Sequence, residues 1–195
     1  LAHIELGNDL PGIVGLLGFR PETAGPLTEL AEALLRTPST LSRGERELIA
    51  SFVSRGNECD FCAKSHSALA TEQLGHDAEL VELVTDRRDH PKVSPKLRAL
   101  LAIADRVRVS GKSVRSEDVA AARAAGATDV EIHDTVLIAA AFCMYNRYVD
   151  GLGTFAPEDP ETYAATAEVI IAHGYGAVAR QASGALPVPA QEDKM

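Results

Sequence analysis

The order of apolar and polar residues along the chain reads as a succession of helices. In TELAEALL, Leu30, Leu34 and Leu35 fall near one face, which predicts a first helix from about Pro26 to Leu35. TPSTLS (37–42) is a turn, and Ser42 with Glu45 three residues on forms a capping-box pattern. Behind it, RELIASFVS sets Leu48, Ile49, Phe52 and Val53 at helical spacing, and Arg55, Gly56 and Asn57 supply the stop signals. A second helix is predicted from close to Cys59, through CAKSHSALATEQL, to Gly75. A short one follows from Asp77 to about Val84, then a polar loop, DRRDHPKVSP. LRALLAIADRVRVS, SEDVAAARAAG and a long helix from about Asp129 to Gly151 come next, the last with a stripe of Val130, Val136, Leu137, Ala140 and Ala141. Beyond Pro157 the pattern predicts one more helix, Glu161 to His173, and a frayed end in ALPVPAQEDKM.

Two stretches resemble each other. LGHDAELVELV (Leu74 to Val84) and AGATDVEIHDTV (Ala125 to Val136) both end one helix at glycine, Gly75 or Gly126, and start another near an aspartate. They suggest either two pseudo-repeated helical units or two ordinary helix–Gly–helix joints. The organisation expected is one domain: an N-terminal extension over 1–25, a helical part over 26–90, a second helical half over 97–175 and a tail over 183–195.

Composition sharpens the fold class. Of 195 residues 46% are hydrophobic, enough for a core, while 5% are aromatic and Trp is absent. That balance favours an all-α fold, because strands prefer branched and aromatic side chains. The 19 Lys and Arg stand against 28 Asp and Glu, a formal charge of −9. Such a chain repels phosphate backbones and anionic lipid, which argues against nucleic-acid and membrane-surface roles. No apolar run approaches the roughly 20 residues that span a bilayer. Glu5, Asp9 and Pro11 interrupt the N-terminal apolar stretch where a secretory signal would be continuous, so the expected location is the cytoplasm.

The three cysteines are too few, and odd in number, for a disulfide framework. Two of them, in NECDFCAKSH, carry the candidate chemistry. At about 100° per residue, Cys59, Cys62 and His66 fall within a sector of about 60° on one helix. Leu69, Ala70 and Gln73 extend the same face, so it turns towards the protein. Near a helix start the dipole favours a thiolate, and His66 stands four residues after Cys62, within reach of that sulfur. Three uses fit: a redox dithiol with a proton-handling histidine, part of a zinc site, or buried thiols with no chemistry. A redox pair can reduce peroxide, one thiolate attacking the O–O bond and the second condensing with the sulfenic acid. Zinc needs a fourth ligand, and the chain has no second Cys-x-x-Cys, Cys-x-x-His or His-x-x-x-His.

LSRGERELIASFVSRGNECDFCAKSH resembles the AhpD-like alkylhydroperoxidase group of the carboxymuconolactone decarboxylase superfamily. The hallmark there is a glutamate, eleven residues, then C-x-x-C-x-x-x-H; Glu47, Cys59, Cys62 and His66 fill it. FCMYNRYVDGLGTF (Phe142 to Phe155) resembles the ending of the peroxidase-related members, so the likeness runs from about Leu27 to Glu168.

The resemblance implies an AhpD-like helical bundle, commonly a trimer or a dimer-based hexamer, with the dithiol in a cavity. It implies that Cys62 attacks the hydroperoxide, Cys59 closes the disulfide, His66 and Glu47 relay protons, and a partner dithiol or lipoyl group restores the thiols. No haem, flavin or metal cofactor is expected. The helix dipole alone would favour Cys59 as nucleophile; the spacing of His66 favours Cys62, because the base must reach the reacting thiol.

Departing from the prototype, the residues between the cysteines are Asp60 and Phe61, with no histidine, and Phe61 cannot transfer a proton. Around its helix Glu47 shares a stripe with Ala50, Ser51 and Ser54, small enough for another helix or a ligand to approach. Asn146 and Arg147 are expected as capping or interface residues, His133 on a helix edge, and Cys143 as a buried small hydrophobe. The rival functions are a lactone decarboxylase on the same fold, which works without a redox pair, and a non-catalytic redox sensor or binding module.

Overall fold

The computed structural model describes residues 2–86 and 91–185. Its described residues form α-helices joined by short turns, without a strand. They are α1 (Gly12–Phe19), α2 (Pro21–Arg36), α3 (Arg43–Gly56), α4 (Asp60–Gln73), α5 (Ala78–Thr85), α6 (Pro95–Val109), α7 (Ser116–Ala124), α8 (Asp129–Gly151), α9 (Pro160–His173) and α10 (Gly176–Ala182).

α3 is the centre of the molecule. It packs against α2, α4, α5, α6 and α8, and every residue from Arg46 to Ser54 is buried. The predicted capping box holds its start: Ser42 Oγ accepts from Glu45 N–H at 3.1 Å and Glu45 Oε2 from Ser42 N–H at 2.8 Å. The capping box of α8 is built likewise from Thr128 and Glu131. Glu131 is only 1% exposed and also accepts from Lys96 Nζ at 2.7 Å and Thr40 Oγ1 at 2.9 Å. One carboxylate therefore ties the start of α8 to α6 and to the turn before α3. Burial opposes its charge, but Lys96, the Thr128 amide and Thr40 together hold it at about 2.

Three expectations need correction. A helix precedes the one predicted as first: within the N-terminal extension Gly12–Phe19 forms α1, and its Val14, Leu16 and Leu17 join the core. Pro26 does not start a helix but lies inside α2, whose first residue is Pro21. So near the N-terminal end the ring removes a single helical hydrogen bond. On α8, Val130, Leu137 and Ala140 of the predicted stripe face out, while Ile132, Thr135, Ile138, Phe142 and Val149 face in. That helix is apolar nearly all round, so periodicity cannot choose its buried side.

α10 went unforeseen, and part of the polar loop and of the frayed end (87–90 and 186–195) lies outside the described residues. The joints at Gly75 and Gly126 are alike, both glycines having positive φ, 78° and 93°. The helices that follow are not alike, α5 having 8 residues and α8 having 23.

Candidate active site

The α3–α4 turn places both thiols. Glu58 takes a left-handed φ of 61°, and Cys59 N–H donates to Ser54 O at 3.0 Å. Cys59 is then the residue capping α4, and its carbonyl accepts from Ala63 N–H at 2.9 Å. Cys62 lies in the first turn of that helix. Two asparagines lock the turn to α8: Asn57 Nδ2 donates to Asn146 Oδ1 at 2.9 Å, and Asn146 Nδ2 to Ser54 Oγ at 3.0 Å. The small-residue stripe of α3 is filled by α4, since Ser51 Oγ meets Ala63 O at 3.1 Å and Ser67 Oγ at 2.7 Å.

Both cysteines are free thiols, but their surroundings differ. Cys59, fully buried, and Cys62, 4% exposed, share a small cluster with Leu16 and Val149, but only Cys62 also reaches a cavity. The Cys59 thiol is pushed well up, first by its hydrogen bond to the Cys62 sulfur, then by burial, with Asp150 adding to the effect and the Cys62 amide opposing it. Cys59 thus keeps its proton and offers it to Cys62, contrary to what the helix dipole alone suggests. Asp150, near the end of α8, is itself raised, chiefly by burial.

Cys62 and His66 line a cavity walled mainly by apolar side chains, among them Val14, Leu27, Phe61 and Phe142. Its volume is about 80 Å³. Cys59 is not among the lining residues. Phe61, one of the lining residues, packs closely on α1: a Cβ on Gly12, whose φ is 49°, would fall 2.3 Å from its ring.

Glu47 is 1% exposed and meets His66 across the hairpin, with His66 Nδ1 at 2.7 Å from Oε2. Its other oxygen, Oε1, accepts from Tyr175 Oη at 2.7 Å. Neither bond comes from Lys or Arg, unlike the ion pair at Glu131. The His66 ring is held edge-on by Phe142, centroids 4.5 Å apart, and lies near-parallel to Tyr175. The Tyr175 hydroxyl is held well above its ordinary range, first by burial and then by Glu47, so it stays a donor.

All four predicted residues, Glu47, Cys59, Cys62 and His66, therefore gather at one place, while Tyr175 and Asp150 were missed. The other candidates lie apart. His133 is exposed and pairs with Asp134, Arg147 is exposed, and Asn146 is a buried link in the turn. Cys143 is only partly buried, its sulfur accepting from Asn57 Nδ2 at 3.5 Å. Among the described residues no group of three or more His, Cys, Asp or Glu is placed to hold a metal, and no helix is long and apolar enough to cross a membrane.

Residues 21–106 match the sequence profile of the carboxymuconolactone decarboxylase family. Among solved structures, an uncharacterized peroxidase-related protein from Silicibacter sp. TM1040 superposes with a TM-score of 0.70 at 26% identity, over 76% of this chain and 77% of that one. An AhpD-core, peroxidase-related protein from Ralstonia eutropha JMP134 gives 0.68 at 27%, over 77% and 79%. A protein of unknown function from Agrobacterium tumefaciens, named for antioxidant defence as AhpD, gives 0.64 at 22%, over 74% and 97%, and speaks to the fold alone. A search of curated protein sequences gives no match.

Proposed function

From the premise that this chain is an AhpD-like member of the carboxymuconolactone decarboxylase superfamily, we propose that it is a thiol-dependent hydroperoxide reductase. The observation that carries the proposal is the unequal placing of the thiols: Cys62 and His66 share the cavity wall, and Cys59 lies buried behind. A hydroperoxide entering the cavity meets Cys62 first. The Cys62 thiolate attacks the terminal peroxide oxygen, the O–O bond breaks, and the alkoxide takes a proton to leave as alcohol. Cys62 is then the sulfenic acid. The Cys59 sulfur attacks the Cys62 sulfur and gives up its thiol proton as the S–S bond forms, and the departing hydroxyl takes up a proton and leaves as water.

His66 and Glu47 are the proton carriers of these steps. A two-electron partner, a protein dithiol or a dihydrolipoyl group, returns the disulfide to two thiols. Thiolate chemistry cleaves the O–O bond without a metal or flavin. The cavity wall supplies the apolar surroundings that an alkyl chain favours over water.

Self-association belongs to the proposal, through the outer face of α8. Val130, Leu137 and Met144 stand exposed at seven-residue intervals, with His133, Ala140 and Arg147 between them. That 3–4 alternation packs helix on helix. Laid antiparallel on a second copy, Arg147 meets the acidic start of the other α8, where Asp129 and Asp134 stand. Such a twofold contact is what a dimer-based hexamer needs.

The test is intact mass with thiol counting on reduced, metal-free protein, before and after one equivalent of cumene hydroperoxide. The expected result is loss of two thiols and about two mass units, mapped to Cys59–Cys62 and absent in Cys62→Ser. Cys59→Ser should stop at a sulfenic acid that dimedone traps. Three thiols unchanged over minutes would overturn the proposal.

A further inference from the structure

The carboxylate between His66 and the C-terminal helices has two oxygens and two hydrogen-bonding neighbours, and the protons can be counted. The Tyr175 hydroxyl has one hydrogen. It lies 2.7 Å from Glu47 Oε1 but 3.4 Å from His66 Nδ1, so it donates to the carboxylate. Glu47 Oε2 then takes its proton from Nδ1–H of His66 at 2.7 Å. With Nδ1 protonated, the neutral ring keeps Nε2 free to accept.

Tyr175 is held for this task by charges on α2. Glu32 Oε2 accepts the Tyr175 backbone N–H at 2.8 Å, Glu32 Oε1 pairs with Arg36 Nε at 3.2 Å, and Arg36 donates to Ile171 O at 3.2 Å. Gly174, with φ 75°, closes α9 just before it. A Cβ there would sit 2.7 Å from Glu32 Oε2, the end of a side chain that would have to move, and the positive φ is what favours glycine at this corner. The tyrosine lies outside the family-matched segment 21–106, on the α9–α10 junction.

We infer that Tyr175 is a positioning residue of the site, whose hydroxyl, by occupying one oxygen of Glu47, leaves the other to accept from His66 Nδ1–H and so fixes His66 in the tautomer that can accept the Cys62 proton. The inference rests on the proposed role of Cys62 as reactive thiol, but not on peroxide being what it attacks. Without the hydroxyl, Oε1 of buried Glu47 loses its donor and is free to turn towards the proton of the imidazole. A protonated Glu47 donates to Nδ1, drives the imidazole proton to Nε2 and removes the base. The charged or titratable groups around the pair are Glu32 and Arg36 of α2, Arg46 of α3, Cys62 of α4 and Tyr145 of α8. All stay in place in a Tyr175→Phe chain.

The experiment follows iodoacetamide alkylation of Cys62 in the full chain, without peroxide, across about pH 5 to 9, with the modified cysteine mapped by mass. Tyr175→Phe should move the midpoint of the rate profile up by about one unit, about tenfold slower on the acid limb with the alkaline plateau kept. Replacing Tyr175 by 3-fluorotyrosine, isosteric and a stronger donor, should move it down. Tyr163→Phe, whose hydroxyl donates to Pro157 O at 2.8 Å, should leave it unmoved.

A Tyr175→Phe profile that superposes on the parent, or is scaled equally at every pH, overturns the inference. If that variant does not fold, the fluorotyrosine chain decides, and an unshifted profile overturns it. Shifted alkylation without peroxide consumption in any chain would uphold the role of Tyr175 and sink the peroxidase proposal instead.

Discussion

Replacing Glu131 by glutamine tests the physical account of the scaffold behind the site. The folded carboxyl is held at about 2, against an ordinary value of 4.5. A gap of that size corresponds to about 3 kcal/mol of folding stability at neutral pH. The sign follows from the direction of the shift: a depressed folded value gives stability that is complete above the unfolded value and lost as pH falls through the folded one. The amide side chain keeps the shape but not the charge opposite Lys96, and it has no such pH dependence of its own. Urea unfolding of both proteins at pH values from about 7 down to 3 should show Glu131→Gln less stable by about 3 kcal/mol at the top and by only about 1 at the bottom. Every other carboxylate titrates in both proteins and cancels in the difference. A difference that stayed constant with pH would refute the reasoning, because it would mean that the loss comes from packing and not from the Lys96 pair.

Two further outcomes follow from the geometry. Phe142, almost fully buried between His66 and Tyr145, should cost about 3–5 kcal/mol when cut to Ala, read as a lower urea midpoint at unchanged slope. Leu137→Glu, on the outer face of α8, should leave the far-UV circular dichroism unchanged and lower the mass seen by light scattering; an unchanged mass would mean that copies do not meet on that face.

Much of the site was legible in the sequence because its members are neighbours on two consecutive helices. Cys59, Cys62 and His66 share one helical face by spacing alone, and Ser42, Glu45 and the Arg55–Asn57 stop fix the limits of the helix that carries Glu47. Capping is a local interaction between residues three apart, so its signal survives without knowledge of the fold. The meeting of Glu47 with His66, 19 residues apart, came through family resemblance and not through spacing.

What the tertiary structure alone decided has no local signal. Tyr175 reaches Glu47 across 128 residues, from the junction before a short helix that no strong periodicity announces. The inner face of α8 was set by packing against α3 and α6, since a helix apolar all round gives periodicity nothing to separate. The unequal access of the cavity to the two thiols was decided in the same way. Dipole and spacing arguments pull towards different cysteines, whereas packing against Leu16 of α1 and Val149 of α8 buries both and brings only Cys62 to the cavity wall. Residue spacing along one helix can bring three reactive groups to one side; which of them a substrate can touch depends on what the rest of the chain lays over them.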